Sequence, residues 1–256
     1  MSILSLDEVY ELINELLNEE ICEVNIEFRL PAPVASCKAD STLWKILKDK
    51  HPWLSTPCEI LPQAKSVIVY ALPLSTEAVK SNIVGTEPSF QWLKEYVIGN
   101  KVIEKVGIRI AEEFKKLGFR SIVIKPTHDF DRKTLTASWS HRHAGYVCGL
   151  GTFGLNNMLI TPKGCAVRLG TVITEAVIEE SLRPEEEYCL EKKGYSCSEC
   201  IKRCPTNALS SWANGGKFKC FSRLTEVAAK YQYVLRESAS ACGKCCVGLP
   251  CSLKIP

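Results

Sequence analysis

Nine cysteines lie between residues 189 and 251, at spacings that suit metal or cluster ligation. The run "CSECIKRCP" puts Cys197, Cys200 and Cys204 three and four residues apart, with Pro205 directly after the last. Thiolates so spaced converge on one cubane, while a cysteine followed by proline in such a run ligates a second cluster. The place where a further cysteine would open the run is held by Gly194, so each cluster must be completed from elsewhere. The predicted assignment is two 4Fe-4S clusters. Cys204, Cys220, Cys242 and Cys245 hold one; Cys189, Cys197, Cys200 and Cys251 hold the other, with Cys246 as the alternative to Cys251. Two C-x2-C pairs also suit a zinc ion held by four thiolates. Pro205, and nine thiols where zinc needs four, favour iron and sulfur.

A second chemical signal is "CGLGTFGLNN", with Gly149, Gly151 and Gly154. Glycine permits close backbone approach to a ligand or a turn at positive φ. The G-x-G-x-x-G spacing matches a dinucleotide fingerprint, which requires a strand before it and a helix after it. Here a helical pattern precedes and a strand pattern follows, so that reading is set aside. The five scattered cysteines, Cys22, Cys37, Cys58, Cys148 and Cys165, read as small buried hydrophobes. Cys148 and Cys165 alone flank the glycine loop.

The elements that must position these groups are partly legible. Ser5 and Glu8 form a capping-box pattern ahead of apolar residues at helical spacing, Val9 to Leu17. "VNIEFRL" alternates like a half-buried strand, and "SVIVYALPL" (66–74) reads as a strand buried on both faces. A helical pattern from Phe90 to Leu117, with a possible break near Gly99, stops at Gly118, and "SIVIKP" (121–126) reads as another buried strand. Strand, long helix and strand make a crossover pattern, hence a mixed α/β domain. "MLITPKGCAVRLGTVIT" (158–174) reads as two strands around a turn at Pro162-Lys163-Gly164. The Glu-rich stretch 183–193 then divides a domain of residues 1–180 from a small metal-stabilised module of residues 181–256.

Composition narrows the setting. The chain has 256 residues and is 46% hydrophobic, enough for a buried core, and a net charge of +3 gives no case for tRNA or a membrane surface as partner. No secretory pattern opens the sequence, which places the protein in the cytoplasm, where thiols stay reduced.

With these residues in place, "CSECIKRCPTNAL", "KCFSRLTE" and "CGKCC" resemble the two-cluster module of the epoxyqueuosine reductases. "HAGYVCGLGTFGLNNMLITPKGCAVRLGTVITEA" resembles the corrinoid-binding region shared by that family and the reductive dehalogenases. The resemblance covers residues 120–256. It implies a nitroreductase-like α/β domain binding cobalamin, followed by a ferredoxin-like domain that feeds it electrons. Gly149, Gly151, Gly154, Asn156, Asn157, Thr161, Arg168 and Gly170 would receive the corrin. The implied activity is a reductive deoxygenation or dehalogenation, with reduced ferredoxin or flavodoxin as donor and a small molecule or modified nucleoside as substrate. The alternative is an electron-transfer or corrinoid-reducing protein with no organic substrate of its own. The family's acidic segment ahead of the glycine loop is replaced here by "HDFDRKTLTASWSHRHAG". Candidate proton donors are therefore Asp129, Asp131, His141, His143 and Tyr146.

Overall fold

The computed structural model describes residues 3–126 and 130–256. Its first half runs α1 (Leu6–Cys22), β1 (Val34–Lys38), α2 (Thr42–Lys50), α3 (Pro57–Ile60), β2 (Ser66–Pro73), α4 (Thr76–Ser81), α5 (Phe90–Lys116) and β3 (Ser121–Ile124). The second half runs α6 (His141–Val147), β4 (Thr152–Phe153), β5 (Leu159–Ile160), β6 (Val167–Thr174), α7 (Glu199–Lys202) and α8 (Gly216–Leu235). Among the described residues no helix is long and apolar enough to cross a membrane.

The main sheet has the order β1-β2-β6-β3, with every neighbouring pair antiparallel. The long helix α5 does join two strands that run the same way, β2 and β3, but β6 is inserted between them. All eight residues of β2 are buried, because both faces of the sheet are covered. Ile68, Tyr70 and Leu72 pack with α1 and α5 in one core, whereas Val67, Val69 and Ala71 face Trp44, Trp139, Ala144 and Val147 in another. This division follows the two-residue period of a strand. Each core then fixes one helix layer, α5 on one side and α6 on the other.

Three sequence expectations change. The Ser5 capping box forms, but α1 extends to 17 residues. Helix α5 runs unbroken through Gly99, whose missing side chain leaves room for Arg168; an added Cβ would lie 3.1 Å from Arg168 Cγ. Residues 158–174 keep two strands around a turn closed at Thr161 and Gly164, but β5 pairs with β4 and β6 with β2 and β3.

The C-terminal segment shares the first core through Cys189, Val227, Ala239, Cys246 and Val247. The Arg29 guanidinium anchors it further, donating to the carbonyls of Leu74 (2.7 Å), Lys163 (2.9 Å) and Leu253 (2.9 Å). The tail is thereby held beside the β5–β6 turn, where Cys165 N donates to the Cys251 carbonyl at 2.9 Å. That contact carries Cys251 to the thiols of the 189–200 stretch.

Candidate functional site

Cys189, Cys197, Cys200 and Cys251 line one gap, together with Leu190, Leu249 and Pro250. The gap is narrow, with a cavity volume of about 20 Å³. Burial pushes the Cys200 thiol up to about 11, and Cys245, Cys189 and Cys197 push it the same way. The other set gathers around Cys220 on α8. Burial pushes its thiol up to about 12, with Cys245, Cys204 and Cys242 adding to the shift. Cys204 behaves differently: burial opposes its ionisation, but hydrogen bonds from Thr206 and from the amides of Leu209, Thr206 and Ala208 hold it below the ordinary thiol value. Such an amide nest suits a sulfur that carries charge. Cys246 sits apart, buried beside Cys165 and 3.9 Å from Cys245 Sγ.

Among the described residues no three His, Cys, Asp or Glu side chains converge on a point where a single metal ion could sit. The donor chemistry fits a larger group. Four thiols rim one gap, and three, Cys204, Cys242 and Cys245, act on Cys220. Thiols that oppose each other's ionisation stay protonated unless a cation is held among them.

A cleft of about 440 Å³ is lined by none of these eight cysteines. Trp53, Tyr96, Phe130 and Trp139 form its aromatic walls; His51, His141, Arg142, His143 and Arg168 are its polar groups, and Cys165 lies at its base. None of the described lining residues is acidic. Arg168 donates to Asn100 Oδ1 at 2.9 and 2.7 Å and stacks over the Tyr96 ring at 4.3 Å. Arg142 donates to the Asn157 carbonyl. Helix α6 delivers three cleft residues in succession because Ser140 caps it, its Oγ accepting from His143 N at 3.4 Å. His51 and Arg142 were not singled out from the sequence. Arg142 sits between two candidate histidines in "SHRHAG", and that adjacency was the only available signal.

The candidate proton donors separate in this setting. Nε2 of His141 lies 3.1 Å from the Lys125 carbonyl, and Nδ1 lies 2.8 Å from Thr171 Oγ1. A carbonyl only accepts, so Nε2 carries the proton and Nδ1 accepts from the threonine. Both nitrogens are thus engaged. His143 uses only Nδ1, 2.8 Å from Ser140 Oγ. When that hydroxyl donates, the His143 proton sits on Nε2. Its ring lies 5.2 Å from His51 and 5.1 Å from Phe153. Asp131 closes a turn, accepting from the amides of Lys133 (2.7 Å) and Thr134 (2.9 Å), which hold its carboxyl below the ordinary range. Neither Asp131 nor Tyr146 lines the cleft; Tyr146 stacks against Phe153 and Arg183. Asp129 lies outside the described residues.

Burial lowers both His141 and His143 to about 4. A histidine kept neutral when folded takes up a proton more readily when unfolded, so stability falls as pH drops from 6.5 toward 4. For His141 this amounts to about 2 kcal/mol between pH 7 and pH 5. Urea midpoints at the two pH values should show that loss in the parent chain and less of it in His141→Gln.

The residues expected to cradle a corrin are occupied by the protein itself. Gly149 turns at φ +84°, packed under Leu182 and Arg183. A Cβ on Gly151 would lie 2.0 Å from the Ile160 carbonyl oxygen, one on Gly154 2.6 Å from Asn156 Oδ1, and one on Gly170 2.3 Å from the Tyr70 ring. Asn156 donates to the Cys245 carbonyl at 2.7 Å, and Thr161 to the Gly164 carbonyl at 2.9 Å. Asn157 is occupied by Arg142. Of the eight, only Arg168 lines the cleft. Cys165 reaches the cleft base, while Cys148 points into the core, its Sγ 2.8 Å from that of Cys37.

No family model matches the chain. The epoxyqueuosine reductase of Bacillus subtilis is 30% identical over 181 residues, which is 67% of this chain and 42% of that protein. That of Listeria monocytogenes is 35% identical over 107 residues, 40% of this chain and 27% of that protein. The chain is similar to the epoxyqueuosine reductases. It spans less than half the length of these two relatives. The fold agrees: an epoxyqueuosine reductase bound to an epoxyqueuosine-modified tRNA-Tyr stem loop aligns with a TM-score of 0.55 at 21% identity, covering 95% of this chain and 66% of that one. The Bacillus subtilis epoxyqueuosine reductase with its catalytic loop swung out aligns at 0.54, also at 21% identity and with the same coverage.

Proposed function

We propose that this protein is a cytoplasmic iron–sulfur reductase in which two 4Fe-4S clusters pass electrons, one at a time, to an acceptor held in the cleft. The observation that carries this reading is the partition of eight thiols into two groups, with Cys200 and Cys245 close enough to feel each other across the groups. The clusters supply one-electron transfer. The chain supplies the rest. Cys189, Cys197, Cys200 and Cys251 hold one cluster; Cys204, Cys220, Cys242 and Cys245 hold the other. Trp53 and Trp139 exclude water from the acceptor, and Arg142 and Arg168 favour negative charge on it. His143, through Nε2, is the group placed to exchange a proton with it; His141, held at both nitrogens, orients the start of α6.

The family resemblance makes the acceptor a cobalamin, in a nitroreductase-like domain followed by a ferredoxin-like one. Reduced ferredoxin or flavodoxin would be the donor, and a small molecule or modified nucleoside the substrate. The filled glycine loop favours a second reading, an electron-transfer or corrinoid-reducing protein without its own organic substrate. Metal analysis on protein purified without oxygen, from cells supplied with cobalamin, decides between them. About eight irons and about one cobalt per chain are expected for the first reading. Eight irons without cobalt would establish the second, and fewer than four irons would overturn both.

A further inference from the structure

Resting on the cluster reading above, we infer that Arg142 is the charge through which the cleft and the Cys204/Cys220/Cys242/Cys245 cluster influence each other, and that it raises that cluster's reduction potential. Arg142 lines the cleft and is tied by its Nη1 to the carbonyl of Asn157. The preceding residue, Asn156, is buried and its side chain donates to the carbonyl of Cys245 at 2.7 Å. Two adjacent asparagines therefore span from the guanidinium to the backbone of a cluster cysteine, a short and fully hydrogen-bonded link.

The charge environment gives the link its meaning. Among the described residues Arg142 has no carboxylate partner, and the cleft lining contains no acid. A guanidinium removed from water is costly unless opposite charge faces it. What the structure ties to it instead is the backbone of a cluster cysteine, Cys245, through Asn157 and Asn156. Arg168, the other arginine among the described cleft residues, is directed to Asn100 and Tyr96. A fixed positive charge favours the cluster state that carries one more electron. The Cys189/Cys197/Cys200/Cys251 gap is lined by Asn156 but not by Arg142, and no cysteine of that gap is hydrogen-bonded to the Asn156 side chain. The effect should therefore be larger on the cluster that includes Cys245. Arg142 is on this account a positioning and tuning residue.

The experiment is an anaerobic redox titration of the intact, cluster-loaded chain, followed by electron paramagnetic resonance, in the parent and in Arg142→Gln, Arg142→Met and Arg142→Lys. Removing the charge should disfavour reduction of the Cys245 cluster about tenfold, a fall of about 59 mV for a one-electron couple, with a smaller shift in the other cluster. Arg142→Lys should restore most of the difference. Arg142→Met keeps the aliphatic stem and serves if the Gln variant fails to retain iron. Unchanged potentials in an iron-replete neutral variant would overturn the inference, as would a shift in Arg142→Lys as large as in Arg142→Gln, which would mean packing rather than charge. A parent chain with no iron–sulfur signal would instead remove the cluster reading on which the inference rests, a result distinct from either.

Discussion

Cys204→Ser is expected to lose about half of the iron while leaving the cluster of its own sequence run intact. Its neighbours in "CSECIKRCP", Cys197 and Cys200, line the gap shared with Cys189 and Cys251. Cys204 instead faces Cys220, in the company of Cys242 and Cys245. The cause is local. Helix α7 is four residues long and carries Cys200, and Cys204 follows just past its end, where Pro205 prevents the helix from continuing. The chain leaves the helix there, and the sulfur is presented to the opposite side. Cys197→Ser should lose the complementary half, so iron content alone cannot separate the two variants. Their residual paramagnetic spectra can. Two different residual signals are expected, and a Cys197→Ser/Cys220→Ser double variant should retain almost no iron. Identical residual spectra from Cys204→Ser and Cys197→Ser would mean that the three cysteines of the run share one cluster, and the crossed arrangement would fail.

The expected cysteine partition rests on a signal that is covalent and close-range: spacing within a run, and a proline, determine where a sulfur can point. Strand β2 was legible, since an unbroken apolar run needs cover on both faces and the two cores provide it. "VNIEFRL" was not. Its alternation suggested a strand, but the amides of Ile26, Phe28 and Leu30 each bond to the carbonyl two residues back, and the seat beside β2 belongs to Val34–Lys38. That strand reads weakly because Ser36 and Cys37 interrupt its apolar character, and only pairing with β2 defines it. The glycine loop exposes a deeper ambiguity. A glycine needed to admit a ligand and one needed to admit another part of the same chain look alike in sequence, because both simply lack a Cβ. His51 was invisible for the complementary reason: it reaches the cleft only because α2 ends there, a fact of tertiary arrangement.

Gly151→Ala separates those two meanings of glycine. If Gly151 faced a bound corrin, alanine would leave the apo fold unharmed and reduce cofactor retention. In this structure the new Cβ would lie 2.0 Å from the carbonyl oxygen of Ile160 and 2.8 Å from its carbon. Both are backbone atoms, so no side chain can swing aside to relieve the overlap. Ile160 is itself fixed, pairing with Thr152 across the β4–β5 ribbon, and Thr161 beside it closes the turn toward Gly164. The clash must therefore be relieved by separating the two short strands or by shifting the 158–164 segment, which also bears the anchor for Arg29 and the C-terminal tail. Overpacking of this kind costs about 3 kcal/mol or more when backbone must move. Gly118→Ala supplies the control: it sits at φ +86° with no atom within 4 Å of the added Cβ, so it carries only the conformational cost, about 1 to 2 kcal/mol. Thermal denaturation should rank Gly151→Ala well below Gly118→Ala, with iron lost in step with folding because Cys251 is held by the displaced segment. A Gly151→Ala chain that melts like the parent would return this glycine to the ligand, and the corrin would then lie against the loop rather than in the cleft.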